Sequence, residues 1–373
     1  MTRNQPLDIV IFGLSITSAW GNGHATTYRA LLQALAGRGH RIRFFERDVP
    51  WYANNRDLAR QRYCEVTLYS SIDELGELFP GEIQADLIIL GSYVPQGALL
   101  ADWLLPRARG ITAFYDIDTP VTVAQLSRGE CEYLRPDLVS RFDLYLSFAG
   151  GPILHRLRSE FDAQRPRAFY CSVDPSEYRP AIGSSKRFNL GYLGTYSPDR
   201  QPALQRLLME PARRWSEGRF CVAGPQYPDD IDWPANVERI EHLPPSSHRE
   251  FYNSQRLTLN VTRADMIANG YSPSVRLFEA AACGVPILTD PWLGLEEFFV
   301  PGKEILLAHS PETALQYIRD CDPCYLQQIA TRARARVLSE HTAAHRACQL
   351  EEYLHEVSGV VRLPDEVRME CGA

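Results

Sequence analysis

Short apolar runs alternate with amphipathic stretches along the whole chain, and this alternation is the feature that most constrains the fold. Parallel β-strands covered on both faces read as continuous apolar runs, with the crossover helices between them. In the first half, the apolar runs lie at residues 7–13, 41–45, 87–91, 111–115 and 144–148. In the second half, they lie at residues 190–194, 220–224, 257–261 and 285–289. The pattern predicts two doubly wound parallel sheets with helices on both faces.

A stretch rich in proline, glycine and serine at residues 174–185 separates the two sets of runs and is typical of an interdomain linker. We therefore predict two Rossmann-like domains, at residues 1–172 and 173–342. Residues 343–373 are predicted to form a helix that packs back on the N-terminal domain, followed by a tail from residue 362. Open parallel sheets bind ligands at the carboxyl ends of their strands, so the cleft between the domains is the expected site.

Composition excludes several classes of protein. Hydrophobic residues make up 45% of the 373 residues and charged residues 23%, as in ordinary globular proteins. No run approaches the ~20 apolar residues of a membrane span. The net charge of -7 argues against nucleic-acid binding by bulk charge. Nine cysteines without regular pairing are typical of reduced thiols, so we expect a cytoplasmic protein. The sequence does not indicate an oligomeric state.

Residues 270–286 (GYSPSVRLFEAAACGVP) form the most informative segment. Ser272 followed by a proline predicts the start of a helix, and the free amides of residues 274–276 would then form an anion site. Ser272, Arg276 and Glu279 are spaced to share one helix face. A carboxylate beside a phosphate-binding helix start suits two ribose hydroxyls. A solvated Arg276–Glu279 pair on an ordinary helix is the alternative.

Residues 277–288 (LFEAAACGVPIL) resemble the donor-site helix of the GT-B glycosyltransferases, and residues 170–174, 191–197, 260–263 and 270–274 resemble the CgeB-like branch of that superfamily. The resemblance implies a GT-B fold, in which two Rossmann-like domains face each other across a cleft. It also implies sugar transfer from a nucleoside diphosphate sugar, with UDP or dTDP as the carrier, to an unknown acceptor hydroxyl, and no separate cofactor or metal. The implied donor-binding residues are Gly23, Thr195, Arg200, Arg263, Ser272, Ser274, Arg276 and Glu279.

Many retaining GT-B enzymes carry two glutamates in an E-x7-E pattern on this helix. Glu279 holds the second position here, but Tyr271 holds the first. This departure slightly favours an inverting mechanism and leaves the ribose role implied for Glu279 intact.

Two arginines follow strands of the second set. Arg200 lies six residues after Gly194, where related enzymes carry a lysine that reaches the donor diphosphate. Arg263 follows the run at residues 257–261. A guanidinium binds phosphate in a forked geometry, so both are predicted phosphate ligands. Ordinary surface charge is the alternative for both.

His24 begins the first predicted helix, after a glycine-containing loop. In inverting GT-B enzymes a histidine at this helix start accepts the proton of the acceptor, which suits an imidazole with a near-neutral pKa. A helix-start histidine that donates to a backbone carbonyl is the alternative. A dinucleotide fingerprint would need glycine where Thr26 stands, but Glu46 ends the next run about 20 residues on, so a nicotinamide enzyme is a weaker alternative.

Asp116 and Asp118 follow the run at residues 111–115. Strand alternation places both carboxylates on the same side, so either is predicted to orient His24. The pair also spells D-x-D, the metal–diphosphate motif of GT-A transferases, and divalent-metal dependence would distinguish that interpretation. We expect no metal site.

Two other functions fit the same two-domain plan. One is a sugar-nucleotide epimerase, and the other is a sugar-binding or surface-assembly protein without turnover; fold alone does not separate them from a transferase. Trp20, Trp51 and Tyr52 lie in predicted loops of the N-terminal half, where they are expected either to stack on an acceptor sugar or to pack.

Overall fold

A computed structural model describes residues 5–58, 62–181, 183 and 185–360. It contains two parallel sheets, which confirms the predicted fold class. The strands of the first sheet are β1 (Asp8–Gly13), β2 (Arg41–Arg47), β3 (Glu65–Tyr69), β4 (Ile83–Gly91), β5 (Ala108–Asp116), β6 (Leu144–Ser147) and β7 (Pro166–Ala168), in the spatial order β3-β2-β1-β4-β5-β6-β7. The helices are α1 (Ala25–Gly37), α2 (Pro50–Ala53), α3 (Ile72–Leu78), α4 (Gly97–Leu104), α5 (Thr119–Arg128), α6 (Pro136–Val139) and α7 (Pro152–Phe161).

The apolar runs are continuous because the central strands are buried on both faces. Along β1, Ile9 and Ile11 belong to the same core cluster as Leu31 of α1. Val10 and Phe12, which point the other way, belong to a second cluster on the opposite face of the sheet. Each strand therefore carries apolar side chains at successive positions rather than at alternate ones.

The second sheet has six strands, of which β8 and β11 lie at its centre. The strands are β8 (Phe188–Leu193), β9 (Phe220–Ala223), β10 (Val237–Ile240), β11 (Gln255–Asn260), β12 (Ile287–Thr289) and β13 (Leu306–Leu307), in the order β10-β9-β8-β11-β12-β13. The helices are α8 (Gln201–Leu204), α9 (Glu210–Arg214), α10 (Pro245–Asn253), α11 (Ala264–Asn269), α12 (Val275–Ala282), α13 (Pro311–Leu315), α14 (Pro323–Glu340) and α15 (Ala343–Val360). Two π-helical segments, Gln205–Met209 and Gln316–Asp320, follow α8 and α13, and a 3-10 turn spans Leu295–Glu297.

The sequence pattern did not predict β3, β7, β10 and β13, and these four are the outermost strands of the two sheets. An edge strand is half exposed and short, so it lacks the long apolar run of a central strand. The β10 sequence, VERI, has two charged residues among its four.

Helix α15 lies against the first domain after the chain has completed the second. Glu351 of α15 accepts hydrogen bonds from Arg38, just after α1, and lies 2.8 Å from His40 Nε2. The backbone of Val173 pairs with Thr342, so the two segments that connect the domains run side by side. The predicted tail at residues 362–373 lies outside the described residues. None of the helices in the described part of the chain is long and apolar enough to span a membrane.

Candidate active site

The carboxyl ends of the two sheets face each other across a cleft of about 720 Å³. This is where open parallel sheets bind ligands. The predicted site residues that line the cleft are Gly23, His24, Asp118, Thr195, Arg200, Arg263, Ser272, Ser274, Arg276 and Glu279. The structure therefore brings together ten of the eleven predicted residues, from loops and helix starts of both domains, and the exception is Asp116.

Arg200 immediately precedes α8 and stabilises the loop that follows β8. Its Nη2 donates to the carbonyl of Thr195 at 2.7 Å. Its Nε is buried and has no hydrogen-bond partner among the described residues. Buried donors are nearly always paired in folded proteins, so an unpaired guanidinium N–H at the cleft marks a place where a ligand oxygen is expected.

Helix α12 begins later than its sequence suggests. Ser274, not Ser272, is the N-cap residue, and its side chain makes no capping hydrogen bond. Instead, Ser274 Oγ donates to Asn260 Oδ1 at 2.8 Å. The prediction of a Ser272 cap is wrong because residues 272–274 are extended into the cleft before the first helical turn. The first amides of α12 are left for a ligand at the cleft, as in an anion-binding helix start.

Arg276 is tied into the second domain. Its Nε donates to the carbonyl of Leu193, its Nη1 donates to Asn260 Oδ1 at 2.8 Å, and its guanidinium lies 4.9 Å from the centre of the Tyr192 ring. The predicted helix face shared by Ser272, Arg276 and Glu279 is not formed, because Ser272 lies outside the helix. Arg276 fixes the ends of β8 and β11 relative to α12 and adds positive charge behind the helix start.

Glu279 is 3% exposed, and both of its oxygens are hydrogen-bonded. Thr26 Oγ1 of the first domain donates to Oε1 at 2.9 Å, and Tyr252 OH donates to Oε2 at 3.0 Å. The Arg276–Glu279 pair considered as an alternative is therefore wrong, since hydroxyl groups hold the carboxylate. Long-range contacts hold this side chain in place at the cleft, and sequence spacing gave no sign of them.

His248 lies beside this carboxylate, with its side chain 13% exposed. Its Nε2 is 3.2 Å from the carbonyl of Leu243, which can only accept, so Nε2 carries the hydrogen. Its Nδ1 therefore accepts from Tyr178 OH at 3.2 Å and stands 3.9 Å from Glu279 Oε2. Burial lowers the pKa of His248, and the nearby Glu279 carboxylate opposes this effect.

Asp118 forms an ion pair across the cleft. Arg263 Nη1 donates to Asp118 Oδ2 at 2.7 Å, and Tyr93 OH donates to the same oxygen at 2.9 Å. Arg263 Nε is also 3.8 Å from Asp199 Oδ2. Arg263 of the other domain takes only Oδ2, whereas Oδ1 is buried without a hydrogen-bond partner among the described residues. The Asp118 carboxylate also raises the pKa of His24, so its role in orienting that histidine stays a prediction. Arg263 still lines the cleft, but a carboxylate already holds one edge of its guanidinium.

Asp116 points away from the cleft. Its carboxylate accepts hydrogen bonds from Tyr145 OH at 2.6 Å, from Thr122 Oγ1 at 2.7 Å and from the Asp118 amide at 3.2 Å. Burial raises the pKa of Asp116 to about 6, although these hydrogen bonds oppose the rise. The predicted role beside His24 is wrong because β5 ends at Asp116, so strand alternation does not extend to Asp118. The two carboxylates do not converge as a D-x-D metal site requires.

His24 stands at the start of α1, with its ring edge-on to Phe148 at 5.6 Å between centroids. Its Nδ1 is buried and has no hydrogen-bond partner among the described residues. Burial lowers the pKa of His24, Asp118 raises it, and Arg263 and Arg200 lower it further. Burial therefore favours the neutral imidazole, in which one ring nitrogen can accept a proton.

Glu46 has a structural role. It is fully buried, and its carboxylate accepts hydrogen bonds from Ser15 Oγ, from the amides of Ile16 and Thr17, and from Thr17 Oγ1. The carboxylate is used to hold the loop between β1 and α1. The Glu46 carboxylate is therefore not available to a ribose, which removes the observation on which the nicotinamide alternative rested.

Tyr271, at the position of the first glutamate in the family pattern, is not part of the cleft lining. Its φ of 50° lies in the left-handed region. Its ring lies against Gly151 of the first domain and Gly294 of the second, and a Cβ at either glycine would overlap the ring. The Gly150 amide donates to the Tyr271 carbonyl at 3.0 Å. Tyr271 is a contact between the domains.

Trp20 of the first domain packs against His242 of the second, with 4.7 Å between the ring centroids. The prediction that Trp51 and Tyr52 lie in a loop is wrong, because both belong to the short helix α2. Both line the first-domain wall, where Trp51 is exposed and Tyr52 is buried. No group of three or more potential metal ligands exists within the described residues.

Comparison with known proteins supports the arrangement. A glycosyl transferase-like family model matches residues 200–352. No curated protein sequence shows significant similarity to this chain. Among solved structures, sucrose-phosphate synthase from Thermosynechococcus elongatus superposes with a TM-score of 0.71 at 15% identity, covering 94% of this chain and 99% of its own. HepE from Anabaena, in complex with UDP-glucose, gives 0.70 at 14% identity, with 94% and 100% coverage.

An α-glucosyltransferase in complex with UDP and a 13-mer DNA gives a TM-score of 0.66 at 13% identity, covering 95% of this chain and 100% of its own. At these identities the likeness shows the fold, and it extends over nearly the whole of each chain. The chain therefore has the GT-B fold, and its residues 200–352 match a glycosyl transferase-like family model.

Proposed function

We propose that the protein transfers a sugar from a UDP-sugar to an acceptor hydroxyl, with no metal and with inversion at the anomeric carbon. The proposal rests on how the residues that line the cleft are divided between the two domains. The second-domain wall holds the α12 start, Arg200, Arg263 and Glu279, while the first-domain wall contributes His24 to the lining. HepE, which shares the fold, was solved with UDP-glucose.

The donor binds to the second domain. Its diphosphate sits at the amides of the α12 start and takes the free N–H of Arg200. Its ribose hydroxyls donate to Glu279. These fixed donors stabilise the negative charge that develops on the departing UDP, which is the main electrostatic contribution to such a reaction. The arginines supply the positive charge, and Asp116 faces away, so the proposed reaction needs neither a divalent cation nor a separate cofactor.

His24 acts as general base. As the acceptor oxygen forms a bond to the anomeric carbon, its proton passes to the neutral imidazole. The bond between that carbon and the β-phosphate oxygen breaks, and its electron pair leaves with UDP. Attack from the face opposite the leaving group inverts the anomeric configuration. The lowered pKa of His24 keeps the imidazole in its basic form at neutral pH.

The test combines binding and product analysis. UDP should raise the melting temperature, since a ligand at 100 times its Kd adds ~2.7 kcal/mol, and ADP at the same concentration should raise it less. Transfer from UDP-glucose should continue in EDTA, and NMR should show a β-linked product. An α-linked product would refute inversion and the role of His24 as base. Failure to bind UDP would refute the donor assignment itself.

A further inference from the structure

Positive charge is confined to one wall of the cleft. The arginines that line it are Arg200, Arg263 and Arg276, and all three belong to the second domain. Within the described residues, the first-domain wall contributes no lysine or arginine to the lining. Its one carboxylate, Asp118, is neutralised by Arg263 at 2.7 Å. An acceptor that approaches from the first domain therefore meets a surface without a free cation.

The same wall is largely apolar and aromatic. Its larger apolar and aromatic lining residues are Leu14, Trp51, Tyr52, Tyr93, Ile117, Val121 and Phe148. Trp51 is 55% exposed, which leaves much of its indole open to a ligand. Aromatic faces bury the apolar face of a ring well, while polar groups of that ring stay hydrogen-bonded at its edge. Gln125 of α5 supplies a neutral polar side chain on this wall.

The net charge of the cleft with a donor bound leads to the same conclusion about the acceptor. Three arginines and two carboxylates, Asp118 and Glu279, line the cleft, so the ionised side chains sum to about one positive charge. The donor diphosphate brings roughly two negative charges. The filled donor site is thus already slightly negative, and a second anion would be desolvated without a counter-ion, which is costly in a buried site.

We propose that the acceptor is an uncharged hydroxyl compound with an apolar ring face, rather than a phosphorylated or carboxylated one. A neutral sugar and a phenolic ring share this chemistry. The inference rests on the proposed function, because it assigns the three arginines to the donor side. It adds that the first-domain wall selects the acceptor by lacking a cation and by stacking it on aromatic side chains.

The experiment compares matched acceptors with UDP or UDP-glucose present. The pairs are glucose with glucose 6-phosphate, and 4-methylphenol with 4-hydroxybenzoate. Saturation-transfer NMR measures binding to the UDP complex, and mass spectrometry measures transfer from UDP-glucose. We expect the neutral member of at least one pair to bind and react roughly tenfold better than its anionic partner. Which pair responds distinguishes a sugar from a phenolic acceptor.

Two variants probe the wall directly. Gln125→Lys places a cation on it and should raise the use of the anionic partner several-fold, whereas the uncharged control Gln125→Met should not. Trp51→Ala should raise the KM for the neutral acceptor and leave UDP binding unchanged. Three results would each overturn the inference. They are better use of anionic acceptors by the wild type, binding of neither class of acceptor to the UDP complex, and no response to Gln125→Lys and Trp51→Ala. If the wild-type protein does not bind UDP, the proposed function itself is refuted.

Discussion

Glu279→Gln offers the sharpest test of the donor site. An ionised carboxylate has two oxygens with about four acceptor positions. Thr26 and Tyr252 use one position on each oxygen, at 2.9 and 3.0 Å, so roughly two remain for the ribose hydroxyls. Glutamine has nearly the same shape, but it has one acceptor oxygen and presents N–H groups where the other oxygen stood. One charged hydrogen bond to ribose should therefore be lost, with the second weakened.

Hydrogen bonds to charged groups contribute about 1.5 to 3 kcal/mol, so we expect UDP to bind Glu279→Gln about 2 kcal/mol more weakly, or roughly thirtyfold. Calorimetry should be run with UDP and with 2′,3′-dideoxy-UDP, which lacks both hydroxyls. Wild-type protein should lose affinity for the dideoxy compound by a similar amount, and the variant should barely distinguish the two ligands.

Thr26→Val is the matched control, because it removes one partner of Glu279 and leaves the carboxylate. It should retain most of the discrimination between UDP and its dideoxy analogue. If Glu279→Gln weakens both ligands equally while the ribose preference persists, Glu279 acts on the shape of the cleft and not on ribose. The reasoning from acceptor positions would then be refuted.

Three further predictions concern the base, the metal and the contact between the domains. His24→Ala should lower turnover about 10²- to 10⁴-fold at unchanged UDP affinity. Because burial lowers the pKa of His24, wild-type activity should rise with pH through a value below the pKa of an ordinary histidine. Both His24→Ala and His24→Gln should lose this rise in the pH–rate profile. Transfer assays should give the same rate with and without EDTA, whereas complete loss restored by manganese would contradict the assignment of phosphate charge to arginines. Asp118→Asn should reduce the free energy of unfolding by about 1 to 2 kcal/mol in denaturant titrations, because it breaks a partly buried pair, while Asp199→Asn, whose contact with Arg263 is longer, should change it by less than about 0.5 kcal/mol.

The central fold was predictable because burial on both faces of β1, β4, β8 and β11 imposes continuous apolar runs. The location of the site was also predictable, since motifs at the ends of parallel strands must gather at one edge. Edge strands such as β3 were not, because half-exposed short strands carry no such run.

The sequence could not predict which charged side chains pair in the cleft. Arg263 and Asp118 are 145 residues apart, and only the facing of two domains brings them to 2.7 Å. Asp116 was misplaced for a local reason, since the strand ends at that residue and side-chain alternation ends with it. The start of α12 was misplaced because Ser272 and Ser274 are both good caps, and a tertiary bond from Ser274 to Asn260 decides between them.

The seating of Tyr271 between Gly151 and Gly294 limits how the two domains can move. The ring is enclosed by backbone from both halves of the protein, and the Gly150–Tyr271 hydrogen bond adds a second attachment at the same place. Opening the cleft by rotation about this point would separate Asp118 from Arg263 and Thr26 from Glu279 while leaving the tyrosine seated. Sliding of one domain past the other would require the Tyr271 ring to leave its position between Gly151 and Gly294. We therefore expect Tyr271 to favour rotation of the two domains about this contact over sliding when a ligand enters the cleft.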